Sequence, residues 1–328
     1  MDYIIELIEV NKLENYIRYY YNINPLDIHL ENNNYFFYDV NYNRFCLYNL
    51  SKINIDDIEL KKKYDLCNYL KTQGVYCHQI IINKMNNICI LINNNKYILL
   101  KYKIDYGSNK KICLKDVLYF SQIPISTDHI YSNDVWKTRW SVKMDYFEYQ
   151  LNQFGYKHHL LRESFGYYSG LVEMAIALHN AFSNNMDVMQ SVLCHKRITY
   201  NDTLFDFYNP INLIIDNKVR DVSEYFKSKL INISNIAGVD KLIYEISIFL
   251  NYVNYNDNEY FLFFIRMLYS TAYFDKYEII MNQDLKDDEV ENILKKTPVY
   301  ECFVKKLYIY LKKTKLVVNL PQIEWLSK

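Results

Sequence analysis

The sequence predicts an α+β protein in two parts. Residues 1–105 read as a strand-rich N-terminal lobe with one long helix, and residues 106–328 as a larger, mainly helical C-terminal lobe. Three observations predict this. Up to residue 105 the apolar residues fall in short runs rich in β-branched and aromatic side chains. Beyond residue 130 they recur at steps of three and four. Between the two textures lies "YGSNKK", 106–111, a polar stretch suited to a hinge.

The strand-like runs are "NYFFYDV", "RFCLYNL", "HQIIIN", "ICILI" and "KYILLKY". "NICILINNNKYILLKY" reads as a hairpin, because Asn93, Asn94 and Asn95 supply a tight turn that tolerates left-handed backbone. The helix lies in "DDIELKKKYDLCNYLKTQG". Asp56 or Asp57 caps its start and Gly74 ends it, with Ile58, Leu66, Tyr69 and Leu70 on one face.

In the second part, Trp136, Trp140, Met144, Phe147 and Leu151 form one apolar stripe. Leu171, Ala175, Leu178 and Phe182 form another, and His158-His159 reads as an exposed helix end between them. Further helices are expected in "VDKLIYEISIFLNYV", "NEYFLFFIRMLYSTAYF" and "VYECFVKKLYIYLKKT", the last with a basic, solvated face. The apolar run in "LIIDNKVRD" reads as a short strand interrupting the bundle.

Bulk properties narrow the function classes. Half of the 328 residues are apolar, enough for a sizeable core. Lys plus Arg number 38 and Asp plus Glu 38, so no global charge draws the chain to nucleic acid or an anionic membrane. The abundance of Tyr, with 35 residues, and of Asn, Ile and Lys reads as the background of an A+T-rich genome. The seven cysteines include no C-x-x-C pair, which predicts buried thiols in a reducing compartment and no zinc site. "MDYIIELIEVNKLENYI" carries acids where a signal peptide needs positive charge. "YFLFFIRMLY" is far shorter than the about 20 apolar residues of a membrane span. A soluble, cytoplasmic protein is expected.

Three stretches carry a family resemblance. "ESFGYYSGLVEMAI", 163–176, "CHKRI" with "IIDNKVRDVSEYFK", 214–227, and "YSTAYFDKYE" with the closing "LPQIEWL" resemble the spore-coat-associated kinase-like proteins of the CotS/YutH type, most closely the YutH-like branch. The likeness spans most of residues 136–327 and is looser over the first hundred. It implies a two-lobed protein-kinase-like fold of the aminoglycoside/choline phosphotransferase kind. It also implies protein partners such as spore-coat components, and deposition in the spore coat.

Phosphoryl transfer in that fold needs a backbone cradle for the phosphates, a lysine on the third strand, metal ligands and a base for the acceptor hydroxyl. The first glycine of this chain is Gly74, so no glycine-rich loop joins the first two strands. "RFCLYNL", the third-strand candidate, has no lysine; Arg44 opens it and Lys52 lies just beyond it. The helix glutamate of a nucleotide site falls on Glu59, which equally suits a first helical turn. The loop pattern H-x-D-x-x-x-x-N places His195 correctly, but Arg197 stands at the aspartate and Asp202 at the asparagine, beside Asn201. A guanidinium cannot take a proton from a hydroxyl. Asp216, after the apolar "NLII", matches the metal-binding aspartate, with Asp202 a candidate second ligand; the alternative is a loop carboxylate capping nearby backbone. Asp221, in the family's R-D segment, is a candidate brace for His195 or Arg197. The expectation is a catalytically degenerate kinase-like protein acting as a spore-coat or spore-envelope binding or scaffold component, with no cofactor. Three alternatives stay open: a small-molecule phosphotransferase using Asp216 with magnesium and ATP, a nucleotide-sensing pseudokinase, and a helical interaction protein unrelated to sporulation.

Overall fold

The computed structural model describes residues 2–103, 110–123, 125, 135–182, 191–283, 285–316 and 320–327, with backbone only for 2–11, 135, 136, 182 and 289. Most of the stretch read as a hinge, and the side chains of Trp136 and Phe182, lie outside the described residues. The chain forms two compact units: Met1–Ile112 with Asn201–Leu213, and Cys113–Tyr200 with Ile214–Lys328.

The first unit opens with a helix that the strand-rich reading does not contain, α1 (Asp2–Tyr21). Leu13, Ile17 and Tyr21, spaced by four, are buried and hold it down. The strands that follow are β1 (Leu26–Glu31), β2 (Asn34–Tyr38), β3 (Arg44–Asn49), β4 (Gln79–Ile81), β5 (Cys89–Ile92) and β6 (Asn95–Tyr102). They form one sheet in the order β1-β2-β3-β6-β4, with β5 also on β6. The described pairings are antiparallel. Register sorts the side chains between two faces. Phe37 opposite Phe45 and Leu47 opposite Leu99 share a face with the α1 residues in one apolar cluster. Phe36, Cys46, Leu100 and Ile80 share the other. Fully burying one such aliphatic or aromatic side chain contributes about 1.5–3 kcal/mol, which is why α1 docks although it is not strongly amphipathic.

The predicted hairpin is β5–β6. Ile92 pairs with Asn95 across a turn in which Asn93 and Asn94 have φ of 51° and 64°. The helix between β3 and β4 is α2 (Asp57–Thr72). Asp56 caps it, its Oδ1 accepting from the Glu59 N–H at 2.6 Å. At the other end Gly74 has φ +71°, and the Val75 N–H donates back to the Leu70 C=O at 2.9 Å. The buried face runs through Leu60, Lys63, Leu66, Cys67 and Leu70, whereas Ile58 is 71% exposed. The face drawn through Ile58 is therefore rotated from the real one.

The second unit holds α3 (Leu114–Ser121), α4 (Val135–Phe154), α5 (His159–Phe182) and β7 (Ser191–His195). The short helix α6 (Leu204–Phe207) belongs to the first unit, in the returning segment Asn201–Leu213. β8 (Leu213–Asn217) is the short strand expected from "LIIDN" and pairs with β7. The rest is helical: α7 (Arg220–Leu230), α8 (Ile236–Tyr252), α9 (Asp257–Leu268), α10 (Thr271–Gln283), α11 (Glu291–Leu294), α12 (Thr297–Thr314) and α13 (Glu324–Ser327). Met144 and Phe147 of α4, Leu161, Tyr168 and Val172 of α5, and Tyr273, Phe274 and Tyr277 of α10 make one core, in which Tyr168 stacks on Tyr273 at 3.9 Å between centroids. α9 is buried on all sides from Glu259 to Leu268, so its apolar run marks a central core helix. Among the described residues no helix is long and apolar enough to cross a membrane. His158 is buried and His159 exposed beside Glu163, which corrects the reading of both as exposed.

Candidate functional site

β7 ends on His195, and the first turn of α7 carries Asp221 beneath it. The Asp221 Oδ1 accepts the His195 backbone N–H at 3.0 Å, and Oδ2 lies 2.6 Å from the imidazole Nδ1. A carboxylate only accepts, so Nδ1 carries the proton. Both side chains are buried, and the Phe120 ring lies 5.4 Å from the imidazole. Of the two partners open to Asp221, the structure selects His195.

Arg197 turns elsewhere. Its guanidinium donates to Asp275 of α10, and both side chains remain substantially exposed. Partial desolvation still pushes the Asp275 carboxyl above its usual range, and Arg197 only partly offsets this. Asp275 lies inside "YSTAYFDKYE" and was not singled out by sequence.

Asp216, the penultimate residue of β8, is clamped. Its Oδ2 accepts from Arg220 Nη1 at 2.7 Å, and Arg266 Nη2 lies 3.3 Å from both oxygens. Oδ1 also accepts from the backbone N–H and the side-chain amide of Asn217, each at 2.7 Å. Burial disfavours the Asp216 carboxylate, but Arg266 and Arg220 outweigh it and hold the carboxyl below the usual range. Arg220 also reaches the loop, donating from Nε to the His195 C=O at 3.0 Å and from Nη2 to the Lys196 C=O at 3.1 Å. Arg266 had been visible only as the charge interrupting "YFLFFIRMLY". A guanidinium in so apolar a helix requires a buried acid, and Asp216 is that acid.

Next along α7, Glu224 and Lys227 form a buried pair at 2.7 Å. Thr271 at the start of α10 donates to Glu224 at 3.0 Å and accepts from Lys227 at 2.8 Å. Lys227 also donates to the Tyr269 C=O at 3.1 Å.

The remaining sequence candidates lie in the first unit. Asp202 lies at the start of the returning segment, its C=O accepting from the Ile112 N–H at 3.0 Å. Glu59 is half-buried in the first turn of α2, held there by the Asp56 cap. The buried lysine of that helix is Lys63, whose ammonium donates to the Leu213 C=O. On β3 the buried side chains are Phe45, Cys46 and Leu47, and Lys52 beyond it is exposed. β1 and β2 are joined by Asn32 and Asn33 alone, with φ of 51° and 63°. Such a two-residue primed turn is the tightest hairpin connection.

The sheet face bearing Cys46 is covered by the returning segment. Phe205 of α6 lies 5.1 Å from the Phe36 ring, 5.2 Å from Tyr102 and 4.8 Å from His78. His78 is fully buried. Its Nε2 donates to the Phe205 C=O at 3.0 Å, leaving Nδ1 to accept from the Tyr76 hydroxyl at 3.1 Å. Burial pushes its pKa down to about 3, with the Phe205 carbonyl opposing. Sequence reasoning missed this aromatic knot, because its members are scattered over four segments.

Solved structures share this architecture. An aminoglycoside phosphotransferase from Alicyclobacillus acidocaldarius superposes with a TM-score of 0.61 at 9% identity, covering 89% of this chain and 94% of its own. Spectinomycin phosphotransferase APH(9)-Ia, in complex with ADP and spectinomycin, gives 0.52 at 12% identity over 91% and 97%. Amicoumacin kinase hAmiN gives 0.51 at 10% identity over 90% and 92%. At these identities the likeness establishes the fold, a kinase-like one of the aminoglycoside phosphotransferase kind, and nothing of the chemistry. No curated protein matches the chain. The family model described as "Spore coat putative kinase YutH" matches residues 14–307, and the chain, with its kinase-like fold, belongs to that family.

Proposed function

We propose that this protein is a catalytically degenerate member of its family, a kinase-like protein that serves the spore coat or envelope by binding other proteins. The observation that carries the reading is the clamp on Asp216. A magnesium ligand must present free carboxylate oxygens to the ion. Here both oxygens are occupied by two guanidinium groups and an asparagine, and a third cation brought there meets two positive charges.

Three further features support it. Arg197 stands where the base of the reaction belongs and is paired to Asp275. The two-residue Asn32-Asn33 turn offers no loop to lie over phosphates. β3 carries no lysine. His195, Asp221 and Arg220, which in a working loop would orient the base, have become a hydrogen-bonded brace of the second unit. The residues present do not fit a magnesium nucleotide. The family description supports the coat association, and deposition of a cytoplasmic protein in the coat is part of the same reading.

The test is thermal unfolding with and without ATP and magnesium, alongside radiolabelled ATP transfer to hydroxylated metabolites. A ligand at 100 times its Kd stabilises by about 2.7 kcal/mol. The expected result is no magnesium-dependent shift at millimolar nucleotide and no transfer. Transfer from ATP catalysed by the parent protein overturns the reading.

A further inference from the structure

The second unit contains a cavity of about 140 Å³ walled by α7, α10 and α12 with Tyr168 of α5. Most of its lining is apolar, including Ile198, Leu230, Ala272, Val299 and Tyr300. Its charged groups are Arg197, Lys227, Lys296, Glu224 and Asp275. Glu224 is taken by Lys227, and Asp275 by Arg197. Lys296 donates to the backbone C=O of Ile231 and, among the described residues, has no carboxylate partner. The wall therefore carries one positive charge beyond its acids. Arg197 adds to this, because its pair with Asp275 is exposed and one-sided: a single guanidinium nitrogen is engaged. A guanidinium with unspent donors and an ammonium lining the same cavity are the groups that hold carboxylates and phosphates.

We propose that this cavity binds a small molecule with an apolar body and one anionic group, the body lying against the Val299 and Tyr300 side of the wall and the anion held between Arg197 and Lys296. An apolar, concave site with a few convergent polar groups is the usual form of a small-molecule pocket. A polycation is disfavoured, since both acids already have cationic partners. The residue that cannot serve as a base is thereby a hydrogen-bond donor to the bound anion. The proposal rests on the degenerate reading in this respect alone: Arg197 is treated as a ligand group.

The test is isothermal titration of the full chain with phenyl phosphate and benzoate, with benzyl alcohol and benzylamine as neutral and cationic controls. Saturable binding of at least one anion is expected, about ten-fold or more tighter than either control, which corresponds to one good charge-assisted contact. Arg197→Met and Lys296→Met, both at side chains that are not buried, should each remove most of that preference while leaving the melting curve in place. Ala272→Phe, which fills the cavity, should abolish binding of all four probes; if it does not fold, Val299→Phe replaces it. Equal affinity for anions and controls, no saturable binding by about 1 mM, or Arg197→Met and Lys296→Met variants that bind as the parent does would overturn the proposal. ATP transfer is assayed on the same preparations. Turnover without anion binding sinks both readings, turnover with it sinks only the degenerate one, and neither turnover nor binding sinks only this one.

Discussion

Arg266 Nη2 lies 3.3 Å from both carboxylate oxygens of Asp216, joining the last turn of the buried helix α9 to the end of β8. Two arginines share this acid, and burial works against all three charges. Burial lowers the Arg266 pKa, while the neighbouring Asp216 restores part of it. Removing the acid leaves two desolvated guanidinium groups without their counter-charge. Breaking a buried pair in this way costs about 3–5 kcal/mol. Asp216→Ala should therefore unfold at markedly lower denaturant, measured as the urea midpoint. Asp216→Asn, which keeps the hydrogen-bond acceptor, should lose less. A parent-like midpoint for Asp216→Ala would contradict the clamp.

Asp221 holds His195 by two bonds from one carboxylate, both inside the protein. Replacing it with alanine leaves a buried backbone N–H and a buried imidazole N–H unmatched. Each such orphan costs about 1–3 kcal/mol. Asp221→Ala should lower the melting temperature by several degrees, and Asp221→Asn by less, since its amide oxygen still accepts one bond. No drop in Asp221→Ala would remove the brace.

The β1–β2 connection gives a backbone prediction. Asn33 sits at φ 63° and Asn32 at 51°. Left-handed backbone costs an ordinary L-residue roughly 1–2 kcal/mol, which asparagine and glycine largely escape. Asn33→Ala should destabilise by about 1 kcal/mol in a denaturant melt, whereas Asn33→Gly should be near neutral. Equal effects would show that the turn is not constrained in this way.

Local signals in the sequence were legible where one residue type has one physical use. Asp56 and Gly74 marked both ends of α2, and Asn93-Asn94 marked the β5–β6 turn. The helical stripe through Met144 and Phe147 packs as its spacing implies. Signals that depend on distant partners were not legible. The anchors of α1, Leu13, Ile17 and Tyr21, lie among charged residues and acquire meaning only against Phe37, Phe45 and Leu99 of the sheet. Lys63 reads as surface until Leu213 supplies its carbonyl, so the helix face was drawn through the more apolar Ile58. In the site, Asp216 and His195 could be named from motif positions. Arg266 and Asp275, which occupy Asp216 and Arg197, could not, because they come from helices remote in sequence.

His78 makes stability depend on pH. Its folded pKa is lowered from 6.5 to about 3, so the unfolded chain takes up the proton first. The contribution of the neutral imidazole is thus fully present above pH 6.5 and falls as pH drops from there toward 3. One such group removes at most about 1.4 kcal/mol per pH unit across that window. The loss has a structural meaning, because a protonated ring can no longer accept from Tyr76 while it stays bonded to Phe205. Urea melts at pH 7.0, 6.0 and 5.0 should show a progressive fall in the parent. His78→Gln can retain a donor toward the Phe205 carbonyl without titrating, and should be less stable at pH 7 yet flatter over the same range. A His78→Gln profile parallel to the parent would assign the acid sensitivity to other groups and would remove the titrating imidazole from the account of how Phe205 is held on the sheet.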